Sequence, residues 1–156
     1  MNLIKRDELD AFIVKAKTNS YVGQGQKSLS YRPGSHDIQF HDGPFSYMDS
    51  YFGGTDFLGQ EVVYFAGQPV WAMNYYGQIL NPELIDAEKA GQVIMESLSK
   101  LYTAGRFLGG YQHETAWGTY FDTNEGDVFS FKGYEWIEVQ NRKAYELVYH
   151  GGLIKE

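Results

Sequence analysis

Cysteine is absent from the 156 residues, which removes disulfide frameworks, thiolate metal sites and cysteine nucleophiles together. Basic residues are scarce: 13 Lys and Arg against 20 Asp and Glu give a net charge of −7. No basic run exceeds two residues, whereas a nucleic-acid surface needs a basic stripe. Direct nucleic-acid binding is therefore not expected. No apolar run approaches the ~20 residues of a spanning helix, and Met1–Asp10 is too charged for a signal peptide. The expectation is no membrane role and a cytoplasmic location. Neither an HExxH pair nor a Gly-x-Ser-x-Gly elbow occurs, so neither zinc-protease nor hydrolase-elbow chemistry is indicated.

What is present is an ordinary folding composition. Hydrophobic residues at 43% with charged residues at 21% exclude a disordered chain. The length fits one domain over residues 1–156, large enough to bury a core without staples. Leu9, Phe12, Ile13 and Ala16 recur at helical spacing and predict a helix from Arg6 to Lys17. Asp7 is its expected cap, with Asp10 in the capping-box position. From Val22 to Ser35 the composition is that of a long loop. The Val22-Gly23-Gln24-Gly25 stretch lacks the Lys and following helix of a phosphate loop and reads as a hinge.

Beyond His36 the period changes to two. Strands are expected at Asp37–His41, Pro44–Phe52, Gln60–Phe65 and Val70–Tyr76, joined by turn-forming segments too short for parallel pairing. Asn81-Pro82-Glu83 predicts the start of a second helix, which runs along Ala87, Ala90, Gly91, Ile94, Leu98 and Leu101 to a stop at Gly105. Strands return at Ala116–Asp122, Val128–Phe131, Tyr134–Val139 and Lys143–His150. Residues 57–80 align with 131–154 at an offset of 74, with identities at Phe57/Phe131, Gly59/Gly133, Glu61/Glu135, Tyr75/Tyr149 and Gly77/Gly151. The expected fold is α+β: two pseudo-repeated units, about 7–80 and 82–154, each a helix followed by an antiparallel meander. That makes two helices and seven to eight strands in all. Alternation predicts a first hairpin that is central or covered on both faces, and a half-solvated second one nearer an edge.

Acids on aromatic strand faces are the sharpest chemical candidates. Asp49 lies between Tyr47 and Tyr51 on one strand face, with Asp122 as its mate. Glu61 shares a face with Val63 and Phe65, with Glu135 as its mate. A carboxyl desolvated there can bind an amine or act as a general acid or base; the alternative is a structural pairing with Lys, Arg or a Tyr hydroxyl. Glu61 is the expected ligand contact, whereas Glu135, near Lys132, is the expected surface ion pair. Trp71, Tyr75, Tyr76, Trp117 and Trp136 are candidate pocket aromatics, and Arg32 is the candidate anion contact. His36-Asp37, His41-Asp42 and His113-Glu114 are neighbours whose side chains diverge on a strand, so no metal site is expected, and no cofactor is indicated.

The pattern resembles a bacterial domain family of unknown function, found alone or C-terminal to helix-turn-helix regulators of the XRE type. The resembling segments are Arg32-Pro33-Gly34-Ser35-His36-Asp37, Tyr47 to Gly54, Gly59 to Tyr64, Pro69 to Gly77, Phe131 to Glu135, and Tyr145 to Gly152. That resemblance implies a sensing or oligomerising module, although this chain has no helix-turn-helix of its own. The expected function is small-molecule binding or sensing through Arg32, Asp49, Glu61, Trp71 and Tyr75. The alternatives are a hydrolase- or lyase-type enzyme using an acid/base carboxylate, and a protein-interaction module; homodimer formation is also open.

Overall fold

The computed structural model describes residues 4–22 and 29–156. Of the Val22-Gly23-Gln24-Gly25 hinge reading, all but Val22 falls outside the described residues. Helix α1 spans Arg6–Lys17 and runs into a π-helical turn, Thr18–Val22. Four strands follow: β1 His36–Asp42, β2 Phe45–Gly53, β3 Phe57–Phe65 and β4 Gln68–Ile79. Helix α2 spans Ala87–Thr103, and β5 Tyr111–Glu114, β6 Thr119–Asp127, β7 Ser130–Val139 and β8 Arg142–Leu153 complete the order. All eight strands form one antiparallel sheet, β1-β2-β3-β4-β8-β7-β6-β5. Two four-stranded meanders thus meet along β4 and β8. The fold is α+β.

Local chemistry accounts for most of this, with three corrections. Asp7 does not cap α1; the helix starts one residue earlier, at Arg6, and Lys5 before it offers no side-chain cap. Asn81 does not open α2. Its carbonyl takes the N–H groups of Leu84 and Ile85 in a separate turn, and Asp86 then caps the helix by accepting the Lys89 N–H at 2.8 Å. The segments expected at 128–131 and 134–139 are one continuous β7 apart from the turn residues 128–129, and the short β5 carries no strand signal of its own.

Burial alternates along the strands, and both helices cover the same sheet face. Tyr47, Val63, Trp71, Met73, Tyr120, Ile137, Tyr145 and Leu147 point inward and meet Leu9, Phe12 and Ile13 of α1 and Val93, Ile94 and Leu101 of α2 in one core. The opposite face is open. Leu58, Tyr76 and Val148 are exposed there, and Val62 and Tyr64 are only half-buried. Of the two expectations for the first hairpin, a central place holds, since β3 and β4 lie inside the sheet order; cover on both faces is corrected, since no helix among the described residues covers the second face. No helix among the described residues is long and apolar enough to cross a membrane.

The two meanders handle the same contacts in the same way. Gly59 lies opposite Tyr75 and Gly133 opposite Tyr149, and each phenol ring occupies the space a glycine side chain would need. A Cβ at Gly133 would stand 2.0 Å from Cζ of Tyr149, and one at Gly59 2.3 Å from the Tyr75 hydroxyl. Gly133→Ala should therefore drive Tyr149 from its seat and cost about 1–3 kcal/mol. A thermal melt matching wild type would show that the ring has another place to go.

Candidate functional site

The inward face that builds the core also carries charge. Asp49, Glu61, Asp122 and Glu135 are all buried there, in two cross-strand pairs: Asp49 faces Glu61 across β2 and β3, and Asp122 faces Glu135 across β6 and β7. All four line one cavity of about 380 Å³, within the range of small-molecule sites. Strands β2 and β6 are separated by four others in the sheet, so a common cavity means that the sheet wraps around it. Its wall is apolar: Ala90, Gly91, Ile94 and Leu98 from α2, with Phe57 and Ile79 from the sheet. Its floor is polar.

Each carboxylate has defined partners. Lys17, the last residue of α1, is buried and places its ammonium 2.6 and 2.8 Å from the two oxygens of Glu61. The same ammonium lies 5.4 Å from the centre of the Phe107 ring, within cation–π reach. The Tyr75 hydroxyl donates to Asp49 at 2.6 Å, and that of Tyr149 to Asp122 at 2.8 Å. Asn124 donates to Asp122 at 3.1 Å. Glu135 accepts from two phenols, Tyr120 at 2.6 Å and Tyr145 at 3.0 Å.

Burial dominates the protonation of this cluster. It pushes Glu135 up to about 7, against the hydrogen bonds of Tyr120 and Tyr145 and with the help of the neighbouring Asp122 charge. It pushes Asp122 up to about 6 despite the bonds from Tyr149 and Asn124. Asp49 rises through burial and then through the Glu61 charge, with Tyr75 and Lys17 opposing. The tyrosines move the same way: burial and nearby carboxylates raise Tyr47, Tyr120 and Tyr149, so their hydroxyls stay protonated, and those of Tyr120 and Tyr149 donate.

The pH consequence follows from the sign of these shifts. Between the ordinary carboxyl range of about 4 and the folded values near 6 and 7, the native protein holds more protons than the unfolded chain. These groups therefore stabilise the fold most at the acid end of that window and progressively less as pH rises towards about 7, with no further loss above it. Asp37 acts in the opposite sense. Burial opposes its charge, but hydrogen bonds from Ser50, the Tyr31 N–H and Ser35, with Arg32 nearby, hold it below the usual range. Its stabilisation is lost only as pH falls through that lowered value. The melting temperature should accordingly be higher near pH 5 than near pH 8, and the combined Asp122→Asn, Glu135→Gln variant should flatten the slope. Thermal melts across that range check it; a wild-type curve rising from acid to neutral pH would refute it.

The cavity brings together Asp49, Glu61 and Tyr75 of the five expected ligand contacts. Trp71 lies elsewhere, wholly buried against Phe107 and Phe131 with its indole N–H given to the Val128 carbonyl at 2.8 Å. Arg32 is also apart. Its guanidinium donates to the carbonyl and hydroxyl of Ser50 at 3.1 and 2.8 Å and stacks over Phe52, while Ser50 in turn donates to Asp37. Of the other aromatics, Tyr76 is exposed and Trp136 stacks on Phe121 away from the cavity. Trp117 packs outside α2 against Gln92 and Lys89. The ion pair expected at Glu135 is found at Glu61 instead. Lys132 reaches Glu125, not Glu135.

Sequence reasoning missed Lys17, and underrated Asp122, Glu135 and Tyr149. Lys17 did leave a signal, because it follows Ile13 by four residues and so continues the apolar face of α1. A lysine on a buried stripe needs a carboxylate partner.

Residues 49–154 match the sequence model of a family described as a domain of unknown function, DUF5680. No curated protein and no solved structure matches the chain. The matched segment contains β2 from Asp49 on, every strand from β3 onward and all four cavity acids; Lys17 and Arg32 precede it.

Proposed function

The chain belongs to the DUF5680 family, and we propose that it is a small-molecule binding or sensing module whose ligand occupies the cavity between α2 and the sheet. The observation that carries this reading is the cavity's division into an apolar wall and a floor of buried, oriented carboxyl and phenol groups. A purely structural interior closes such a space, since voids and buried charge both cost stability. Here α2 keeps it open with small residues. Gly91 lies mid-helix, where it costs about 1 kcal/mol relative to alanine, and a Cβ added there would meet nothing within 4 Å beyond its own helix backbone. On this reading the two meanders are copies of one unit, supported by the matched pairs Asp49/Asp122, Glu61/Glu135 and Tyr75/Tyr149, and the chain works in a bacterial cytoplasm.

Gly91→Leu tests the proposal. The new side chain should fill part of the cavity, leave the melting temperature unchanged or higher, and remove a small-molecule mass that native mass spectrometry finds on freshly purified wild type. A co-purified mass that persists in Gly91→Leu would place the ligand elsewhere. The same spectra report whether the chain pairs with a second copy. A second reading, an enzyme, is favoured by one observation: Glu135 and Asp122 face each other buried in the cavity, where burial raises both towards the range a general acid or base requires. Turnover of the bound molecule, lost in Glu135→Gln with binding intact, would select it.

A further inference from the structure

The cavity already contains one alkylammonium, that of Lys17. Its four-carbon stem is buried, both oxygens of Glu61 receive its charge, and the Phe107 ring lies beside it. The other meander presents the same arrangement of acids without such a group. Glu135 faces Asp122 across β6 and β7 as Glu61 faces Asp49 across β2 and β3, yet Lys17 is the one Lys or Arg among the described residues lining the cavity. With the Lys17–Glu61 pair set aside, Asp49, Asp122 and Glu135 share one cavity whose lining supplies no further Lys or Arg; Lys17 acts on all three, and Arg106 on Asp122, through charge alone. Their hydrogen bonds come from neutral donors: Tyr75, Tyr149, Asn124, Tyr120 and Tyr145.

We propose that the ligand is a primary amine on an apolar chain, its ammonium held between Asp122 and Glu135 as Lys17 is held by Glu61, its chain along the α2 wall. This rests on the cavity being a ligand site and adds the class of ligand. An ammonium carries three donors and no acceptor. It therefore satisfies two carboxylates that neutral phenols only partly compensate, and a phenol oxygen can take its third proton. A carboxylate ligand would add charge of the same sign, and an alcohol would leave the acids uncompensated. Binding also draws Glu135 and Asp122 to their ionised forms, so the amine should bind more tightly as pH rises from acid to neutral, with proton release.

Hexylamine, hexanol and hexanoate share one chain and differ only in the head group. Titration calorimetry on wild type at neutral pH should show hexylamine binding about tenfold tighter than either of the others, or better. In Asp122→Asn, hexylamine should weaken by a similar factor, about tenfold, with hexanol unchanged. If hexanol or hexanoate binds wild type as tightly as hexylamine, the amine assignment is overturned while the cavity remains a ligand site. If hexylamine binds Gly91→Leu as well as wild type, it binds outside the cavity, and the amine assignment falls. If none of the three binds wild type while a co-purified mass is still lost in Gly91→Leu, the amine assignment falls and the cavity remains a ligand site; if no such mass is found either, the ligand-site reading fails with it. The comparison of head groups needs no variant to fold.

Discussion

Trp71→Ala is expected to destabilise the protein by about 3–5 kcal/mol. The side chain is wholly excluded from solvent and fills the junction between the two meanders. It stacks on Phe131 of β7 with ring centres 5.8 Å apart and meets Phe107, on the segment after α2, edge-on at 6.1 Å. Its indole N–H is the donor for the Val128 carbonyl, so truncation leaves that buried acceptor without its partner as well as opening a void. Trp71→Phe separates the two terms. It keeps most of the ring packing but removes the donor, and should recover more than half of the loss. Chemical denaturation of the three proteins checks this; an alanine variant within about 1 kcal/mol of wild type would mean that the surrounding rings collapse into the space.

That indole shows why the fold was more legible than the site. Period-two alternation placed Trp71, Met73 and Tyr75 on one strand face, and short turns made neighbours antiparallel, so the class and most strands followed from local pattern. The sheet order did not follow. The pairing of β4 with β8 runs from Trp71 opposite Leu153 to Ile79 opposite Tyr145, far apart in sequence, and no local signal specifies it. The same limit governs the acids. Alternation put Glu61 beside Val63 on an inward face, but its partner comes from the end of α1, 44 residues earlier. Glu135 has Lys132 close in sequence, yet on a strand residues i and i+3 point to opposite faces, and Lys132 turns outward to Glu125. Sequence proximity suggested an ion pair that strand geometry forbids. Arg32 lies apart from the cavity for a related reason: its partner Ser50 belongs to the outward register of β2, one residue from the inward Asp49.

Glu61→Leu is expected to cost about 3–5 kcal/mol, because it strands the Lys17 ammonium in a site it cannot leave. Lys17 is only 5% exposed and Glu61 7%, so water cannot replace the lost carboxylate cheaply. Asp49 is the nearest relief. It faces Glu61 across β2 and β3, and its charge is disfavoured by burial and by Glu61 itself; removing Glu61 should let Asp49 ionise towards Lys17. That keeps the loss at the lower end of the range. Lys17→Met should also destabilise, since Glu61 and Asp49 would then confront each other without a cation. The double variant, Lys17→Met with Glu61→Leu, removes both charges and should return to within about 1 kcal/mol of wild type or exceed it, as replaced buried ion pairs often do. Denaturant unfolding of the four proteins gives the coupling directly. Additive single losses would mean that the two groups stabilise the fold independently, in spite of their 2.6 Å contact. A stable double variant has a second use. It keeps Asp122 and Glu135 while deleting the built-in ammonium, so hexylamine binding that survives in it locates the amine in the second meander, and binding that disappears locates it at the Lys17 end.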